Sequence, residues 1–317
     1  MKRLKLMGLQ ELTPGPYGVM FHRFTDSRLP DSQGSLNAHQ LKSVLDQLMD
    51  YELLSPQEWL QHLDNRSLSS RHRCLTFDDG LKCQFEIALP ILESRGLRAF
   101  WFIHTSHYEG VTPPNEILSH LLLKSTSTEE AMRAFCGIAR ATTDFVEPED
   151  LSTQIRGLTT RFPFYTELDC EFRLLRDALS TPSLLSCAEE LAVRQGTSVT
   201  EIAQTVWIGP DEVKRLSDRG QYVGLHSHTH PRFISRFSND KQRAEYSTNL
   251  ARIERITGVR PKAMAHPFGD YNSESLRELA SLDVKCGFRS DHQCGFRITP
   301  EMQSLEIARL DASLLVS

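Results

Sequence analysis

No apolar run in this 317-residue chain approaches the roughly 18–20 residues needed to span a bilayer, so no transmembrane segment is expected. Positive charge is not in excess either: 36 Lys and Arg stand against 41 Asp and Glu, a formal charge of −5. A groove that tracks phosphates needs a basic face, so nucleic acid is not an expected partner. The seven cysteines (74, 83, 136, 170, 187, 286 and 294) are odd in number and lack C-x-x-C spacing. That suits free thiols in a reducing cytoplasm better than a disulfide framework or a structural zinc site. The basic residues Lys2, Arg3 and Lys5 lead into no apolar stretch of about 7–15 residues, so no secretory signal is expected and the location reads as cytoplasmic. Internal repeats and low-complexity tracts are absent as well. What remains is an ordinary globular composition, long enough for one large core.

The order of elements points to α/β. Tyr17–Phe24 follows the Pro14-Gly15-Pro16 punctuation and reads as a first strand. Asn37 caps a helix with Leu41, Val44, Leu45 and Leu48 at helical spacing, and Ser55-Pro56-Gln57-Glu58 opens a second one. Cys74–Phe77 is a strand, a helix runs through Phe85, Ala88, Leu89 and Leu92 to Gly96, and Ala99–Ile103 is an apolar strand covered on both faces. Strand, helix, strand within about thirty residues is a βαβ unit. From 111 to 205 the pattern turns to leucine- and acid-rich helical segments without a chemical motif, a helical insertion forming a lid or subdomain. Strand–helix alternation then resumes at Tyr222–His226 and closes with Ile307–Leu310.

Two signatures about 150 residues apart carry the chemistry. Thr76-Phe77-Asp78-Asp79-Gly80 ends a strand with two acids and a glycine. His226-Ser227-His228-Thr229-His230-Pro231 ends another apolar run with three imidazoles in five residues. One carboxylate and two histidines, with a position left for water, are a normal ligand set for a hydrolytic Zn²⁺ or related cation. His226 and His230 are i and i+4, which on a helical turn puts both rings on one face, with His228 directed away. Two adjacent acids on an extended segment point in opposite directions, so one suits the ion and the other is free as a base. The alternative is a pair of acids capping the helix that begins near Leu81.

Together these motifs resemble the NodB-homology polysaccharide deacetylases, carbohydrate esterase family 4. Ala265-His266-Pro267-Phe268-Gly269-Asp270-Tyr271-Asn272 is similar to the family's Pro-Tyr-Gly segment, and Val19-Met20-Phe21-His22-Arg23 to the opening of its exopolysaccharide-deacetylase branch. The resemblance covers about 15–105 and 205–312. It implies a distorted (β/α) barrel of about seven strands interrupted by the insertion at 111–205, within one deacetylase domain over 1–317. It further implies Asp79, His226 and His230 as metal ligands, Asp78 as general base, and the Phe268 backbone N–H as oxyanion donor. The arginine that many members carry before Pro-Tyr-Gly is replaced here by Ala265 and His266, and Arg309 in a C-terminal strand is the substitute. The late Leu-x-x-His that supplies a general acid is missing, because no histidine follows His292. His22 takes that role, since the first and last strands of a closed barrel are neighbours.

The resulting expectation is a hydrolase that uses one divalent ion, Zn²⁺ first and Co²⁺, Ni²⁺, Mn²⁺ or Fe²⁺ as alternatives. It removes an N-acyl group, N-acetyl first, from an amino sugar that is nucleotide-linked, lipid-linked or an oligosaccharide, at the cytoplasmic membrane face or free in the cytoplasm. Three rivals stand beside it: a deformylase of a lipid-linked amino sugar, a metal-independent hydrolase of non-sugar C–N bonds, and a silent glycan-binding barrel.

Overall fold

The computed structural model describes residues 15–27, 34–143, 145–161, 165–291 and 300–316. The N-terminal segment read for a signal, His292 and Cys294 lie outside them. The chain divides into two compact units, one made of Met1–Val111 with Trp207–Ser317, the other of Thr112–Val206.

In chain order the elements are β1 (Tyr17–Phe21), α1 (Ala38–Leu48), β2 (Glu52–Leu53), α2 (Pro56–Asp64), β3 (His72–Phe77), α3 (Leu89–Ser94) and β4 (Phe100–Ile103). Six helices follow: α4 (Pro114–Lys124), α5 (Thr128–Ala141), α6 (Leu151–Arg161), α7 (Glu167–Ala178), α8 (Thr181–Arg194) and α9 (Val199–Val206). The chain ends with α10 (Pro210–Asp218), β5 (Tyr222–Leu225), α11 (Asn239–Thr257), β6 (Ala263–Ala265), α12 (Ser273–Ser281), β7 (Cys286–Phe288) and β8 (Arg309–Asp311). A π-helical turn at Gln84–Ala88 leads into α3. The caps are those the sequence advertises: Asn37 with Gln40 and Ser55 with Glu58 form capping boxes at α1 and α2.

Seven parallel strands in the order β7-β6-β5-β4-β3-β1-β8 wrap into a nearly closed barrel, and the short β2 pairs with β3. Closure comes from Ile307, bridged to Phe288 of β7, and Arg309, paired with Gly18 of β1. Two-residue periodicity sorts each strand's side chains. Phe100 and Phe102 of β4 join Cys74, Ala263, Ala265, Cys286 and Phe288 in one buried cluster. Trp101 and Ile103 face the other way, among Leu89, Leu92, Val213 and Leu216 of the flanking helices. The interior is tight: a Cβ at Gly224 would stand 2.7 Å from the Phe102 ring and from the Ala263 carbonyl oxygen.

The second unit is all helix. Ile117, Leu121, Phe135, Cys170, Leu175 and Leu191 are buried within it, and Phe135 meets Phe172 edge-on at 4.9 Å. Ser127, Thr166 and Ser180 cap three of its helices. α9 was not expected from sequence. It is eight residues long and rich in β-branched Val, Thr and Ile, which lowers its intrinsic helix propensity.

Candidate metal centre

Because all the barrel strands run in parallel, their C-terminal ends share one rim. His22 follows β1, the Asp78-Asp79 pair follows β3, His226 follows β5 and His266 follows β6. This is the face where parallel α/β sheets place their chemistry.

Alternation along β3 places Thr76 and Asp78 on the interior face, where both meet Arg309. Asp79 would by the same alternation turn outward, but its φ of 74° ends the strand there, with Gly80 at 62° beyond it. The two acids therefore part company, by a left-handed turn and not by extended geometry. The Asp79 Oδ1 atom lies 3.2 Å from His226 Nε2 and 3.2 Å from His230 Nε2, and the two imidazole nitrogens are 3.2 Å from each other. All three residues are buried.

The histidines do not reach this arrangement on a helix. Residues 226–230 form an irregular loop after β5, with Ser227 at φ 57° and His230 at φ 52°. The i, i+4 spacing works through two left-handed bends, which correct the helical-turn expectation. His228 points elsewhere, its Nδ1 against Thr105 Oγ1 at 3.0 Å. Of the seven non-glycine residues with positive φ among the described residues, Asp79, Ser227, His230 and Phe268 belong to this site. Backbone strain is concentrated where the candidate ligands converge.

The donor set fits a cation. His226 Nδ1 donates to the Ala265 carbonyl oxygen at 2.8 Å, which in the neutral ring leaves a lone pair on Nε2. That lone pair faces a carboxylate oxygen and a second imidazole nitrogen, a repulsive set unless a proton or cation lies among them. Ligands about 2.0–2.2 Å from one ion at tetrahedral angles lie about 3.3–3.6 Å apart, close to the spacing seen. The proton affinities agree. Burial pushes the Asp79 carboxyl up, but the His226 hydrogen bond and the His230 and His22 charges hold it well below the ordinary value. Burial pushes both imidazoles down. Asp79 and Asp78 outweigh this at His226, which is raised, whereas His230 stays down at about 4. One imidazole is thus the better proton acceptor beside a shared carboxylate.

Asp78 sits in a different setting. Arg309 donates from Nη1 and Nη2 to its two carboxylate oxygens, each at 2.6 Å, and from Nε to the Arg289 carbonyl oxygen at 2.5 Å. Burial raises the Asp78 carboxyl, and the guanidinium, followed by His226 and His22, brings it below the usual aspartate value. His22 Nε2 is 3.7 Å from Asp78 Oδ2, and 38% of its side chain is open to solvent. Phe268, at φ 54° in the Pro267–Gly269 turn, lays a half-exposed ring on His230 at 4.8 Å between centroids. His22, Asp78, Asp79, His226, His230, Phe268 and Arg309 are thereby brought into one cluster.

Several residues here were not foreseen. Gln84 donates to the His22 and Asp78 carbonyl oxygens and ties two strand ends together. His266 is buried, its Nε2 against the Leu305 carbonyl oxygen and its ring stacked on Tyr271. Glu245 and Asn249 of α11 hold the histidine loop. His266 lies within the Ala265–Asn272 segment, but Gln84, Glu245 and Asn249 are single polar residues in otherwise ordinary segments, so no local pattern marks them.

The polysaccharide deacetylase family model matches residues 181–287, a span that contains His226, His230 and Phe268. The matched stretch, about a third of the chain, is similar to the polysaccharide deacetylases. That family hydrolyses N-acetyl amide bonds. The fold is similar to that of the deacetylase PplD from Streptococcus pyogenes, solved in complex with acetate, at a TM-score of 0.52 and 16% identity over 94% of this chain and 93% of that one. It is similar to IcaB from Ammonifex degensii at a TM-score of 0.54 and 15% identity, over 94% and 91%. A de-N-acetylase from Aggregatibacter actinomycetemcomitans matches at 0.50 and 12%, over 93% and 94%. No curated protein sequence matches the chain.

Proposed function

We propose that this chain is a cation-assisted N-deacetylase of an amino sugar in a surface-polysaccharide precursor. The observation that carries the reading is the split of two consecutive acids. Asp79 joins two histidines at 3.2 Å, while Asp78 stands beside them in a bidentate pair with Arg309.

Asp79, His226 and His230 would hold the ion, Zn²⁺ being favoured by a carboxylate and two imidazoles. When bound, such a cation acts as a Lewis acid and lowers the pKa of a water from about 15.7 toward neutrality. The protein's own groups do the rest. Asp78, kept ionised by Arg309, accepts the proton of the attacking water as the new C–O bond forms. The Phe268 backbone N–H donates to the carbonyl oxygen as charge gathers there. His22 delivers a proton to the sugar nitrogen as the C–N bond breaks, because an amide nitrogen leaves poorly without one. Acetate and the free amine are the products.

The substrate reading is a nucleotide-linked or lipid-linked amino sugar met in the cytoplasm. All six described cysteines are free, which supports a reducing compartment. Removal of a formyl group is the same reaction with a smaller acyl pocket. Amine release should be assayed from N-acetyl and N-formyl nucleotide sugars and from chitin-type oligomers, with chelator and then with Zn²⁺ restored. Metal-dependent release from the nucleotide sugars supports the reading. Release only from the oligomers moves the substrate outside the cell, and release that survives chelation ends the metal mechanism.

A further inference from the structure

The loop that carries both candidate histidine ligands is fastened by one face of α11. Glu245 Oε2 accepts the backbone N–H of His228 at 3.0 Å and of Thr229 at 2.8 Å, and Oε1 accepts the Thr229 hydroxyl at 2.6 Å. One turn on, Asn249 Oδ1 accepts the His226 N–H at 3.0 Å, while its Nδ2 donates to the Ile103 carbonyl oxygen and to Thr105 Oγ1. Thr105 and Ser106 in turn donate their backbone N–H groups to the His228 carbonyl oxygen. The strained bends at Ser227 and His230 are therefore bracketed on both sides by hydrogen bonds.

Charge adds a second argument. Glu245 is 6% exposed, and among the described residues no Lys or Arg nitrogen forms an ion pair with it. Asp79 is likewise buried, with only histidines beside it. Asp78 is neutralised by Arg309. Of these three buried carboxylates, Asp79 in the donor triangle and Glu245 holding its loop thus have no Lys or Arg partner among the described residues, which matches the charge of a single dication. Buried charge of this kind is costly unless it is compensated.

We propose that Glu245 is a positioning residue of the metal centre. Its carboxylate, with Asn249, fixes the bends that set the bite of His226 and His230, and its charge raises the affinity for a divalent ion. The proposal rests on the cation reading above.

The test is titration of metal-free wild type and Glu245→Gln with Co²⁺ and Zn²⁺ against a competing chelator, alongside the Co²⁺ visible spectrum and circular dichroism of the metal-free forms. Glu245→Gln should fold, bind both ions about 10–100-fold more weakly, and show an altered Co²⁺ band envelope. Binding within about twofold of wild type, with an unchanged spectrum, overturns the proposal, since a merely structural glutamate would lower stability and leave the affinity alone. If Glu245→Gln does not fold, Thr229→Val decides. It removes one of the three bonds and should weaken binding by about threefold or more, within the roughly 2- to 13-fold that one hydrogen bond is worth, while unchanged affinity again overturns the proposal. Wild type that binds neither ion overturns the cation reading itself; equal binding by wild type and variant overturns only the role of Glu245.

Discussion

Arg309 and Asp78, 231 residues apart in the chain, meet in a buried fork-to-fork pair with both hydrogen bonds at 2.6 Å. The barrel makes this meeting: β1 lies between β3 and β8, with Gly18 opposite both Cys74 and Arg309. Gly18 has no side chain to part Thr76 from Arg309, and a Cβ there would come within 3.1 Å and 3.2 Å of them.

The pair predicts a pH effect. In wild type, Arg309 holds the Asp78 carboxyl below the ordinary value of 3.8, so the acid limb of kcat/KM that this group sets lies below that pH. Arg309→Met removes the largest influence that lowers the carboxyl and leaves burial opposed only by His226 and His22, so the acid limb should move to higher pH. The stability sign follows. The depressed carboxyl stabilises the fold above about 3.8, and that contribution is lost as pH falls through the folded value. Breaking a buried pair also costs about 3–5 kcal/mol, so rates must be normalised to folded protein. An acid limb that does not move separates Arg309 from the base.

His22 should matter for the leaving group and not for the metal. His22→Ala is expected to lower kcat by about 10²-fold or more with metal content unchanged. A substrate with a better leaving group should recover part of the loss. Unchanged kcat on the amide substrate takes His22 out of the mechanism.

The reading of Phe268 rests on its backbone, so its ring should be dispensable to the chemical step. Phe268→Gly suits the φ of 54° and keeps the N–H. It should retain kcat within about tenfold, because losing an oxyanion donor costs about 10²–10³ and this variant loses none. A collapse of kcat with intact metal binding would assign the ring a role in the reaction.

How much of this was legible in sequence varies by element. The strand endings were, because Thr-Phe-Asp-Asp-Gly and the histidine run place candidate ligands beside abrupt ends of β-favouring stretches. Arg309 became a candidate only through the resemblance, as a substitute for the arginine missing before Pro267-Phe268-Gly269, since nothing near it in the chain marks it. The histidine loop was misread as a helical turn because i, i+4 spacing is common to helices and to a doubly bent loop. The bends depend on Glu245 and Asn249, whose partners lie 16–23 residues away. Within α11 those two residues look like any polar positions on a helix.

The most direct test of the account is the metal content of the purified protein beside that of His226→Ala, with amine release measured on the same samples. The account predicts about one divalent ion per chain in wild type, lost together with activity in the variant and not restored by added Zn²⁺. Wild-type protein that is active without a divalent ion, or a His226→Ala form that keeps both ion and activity, would contradict it.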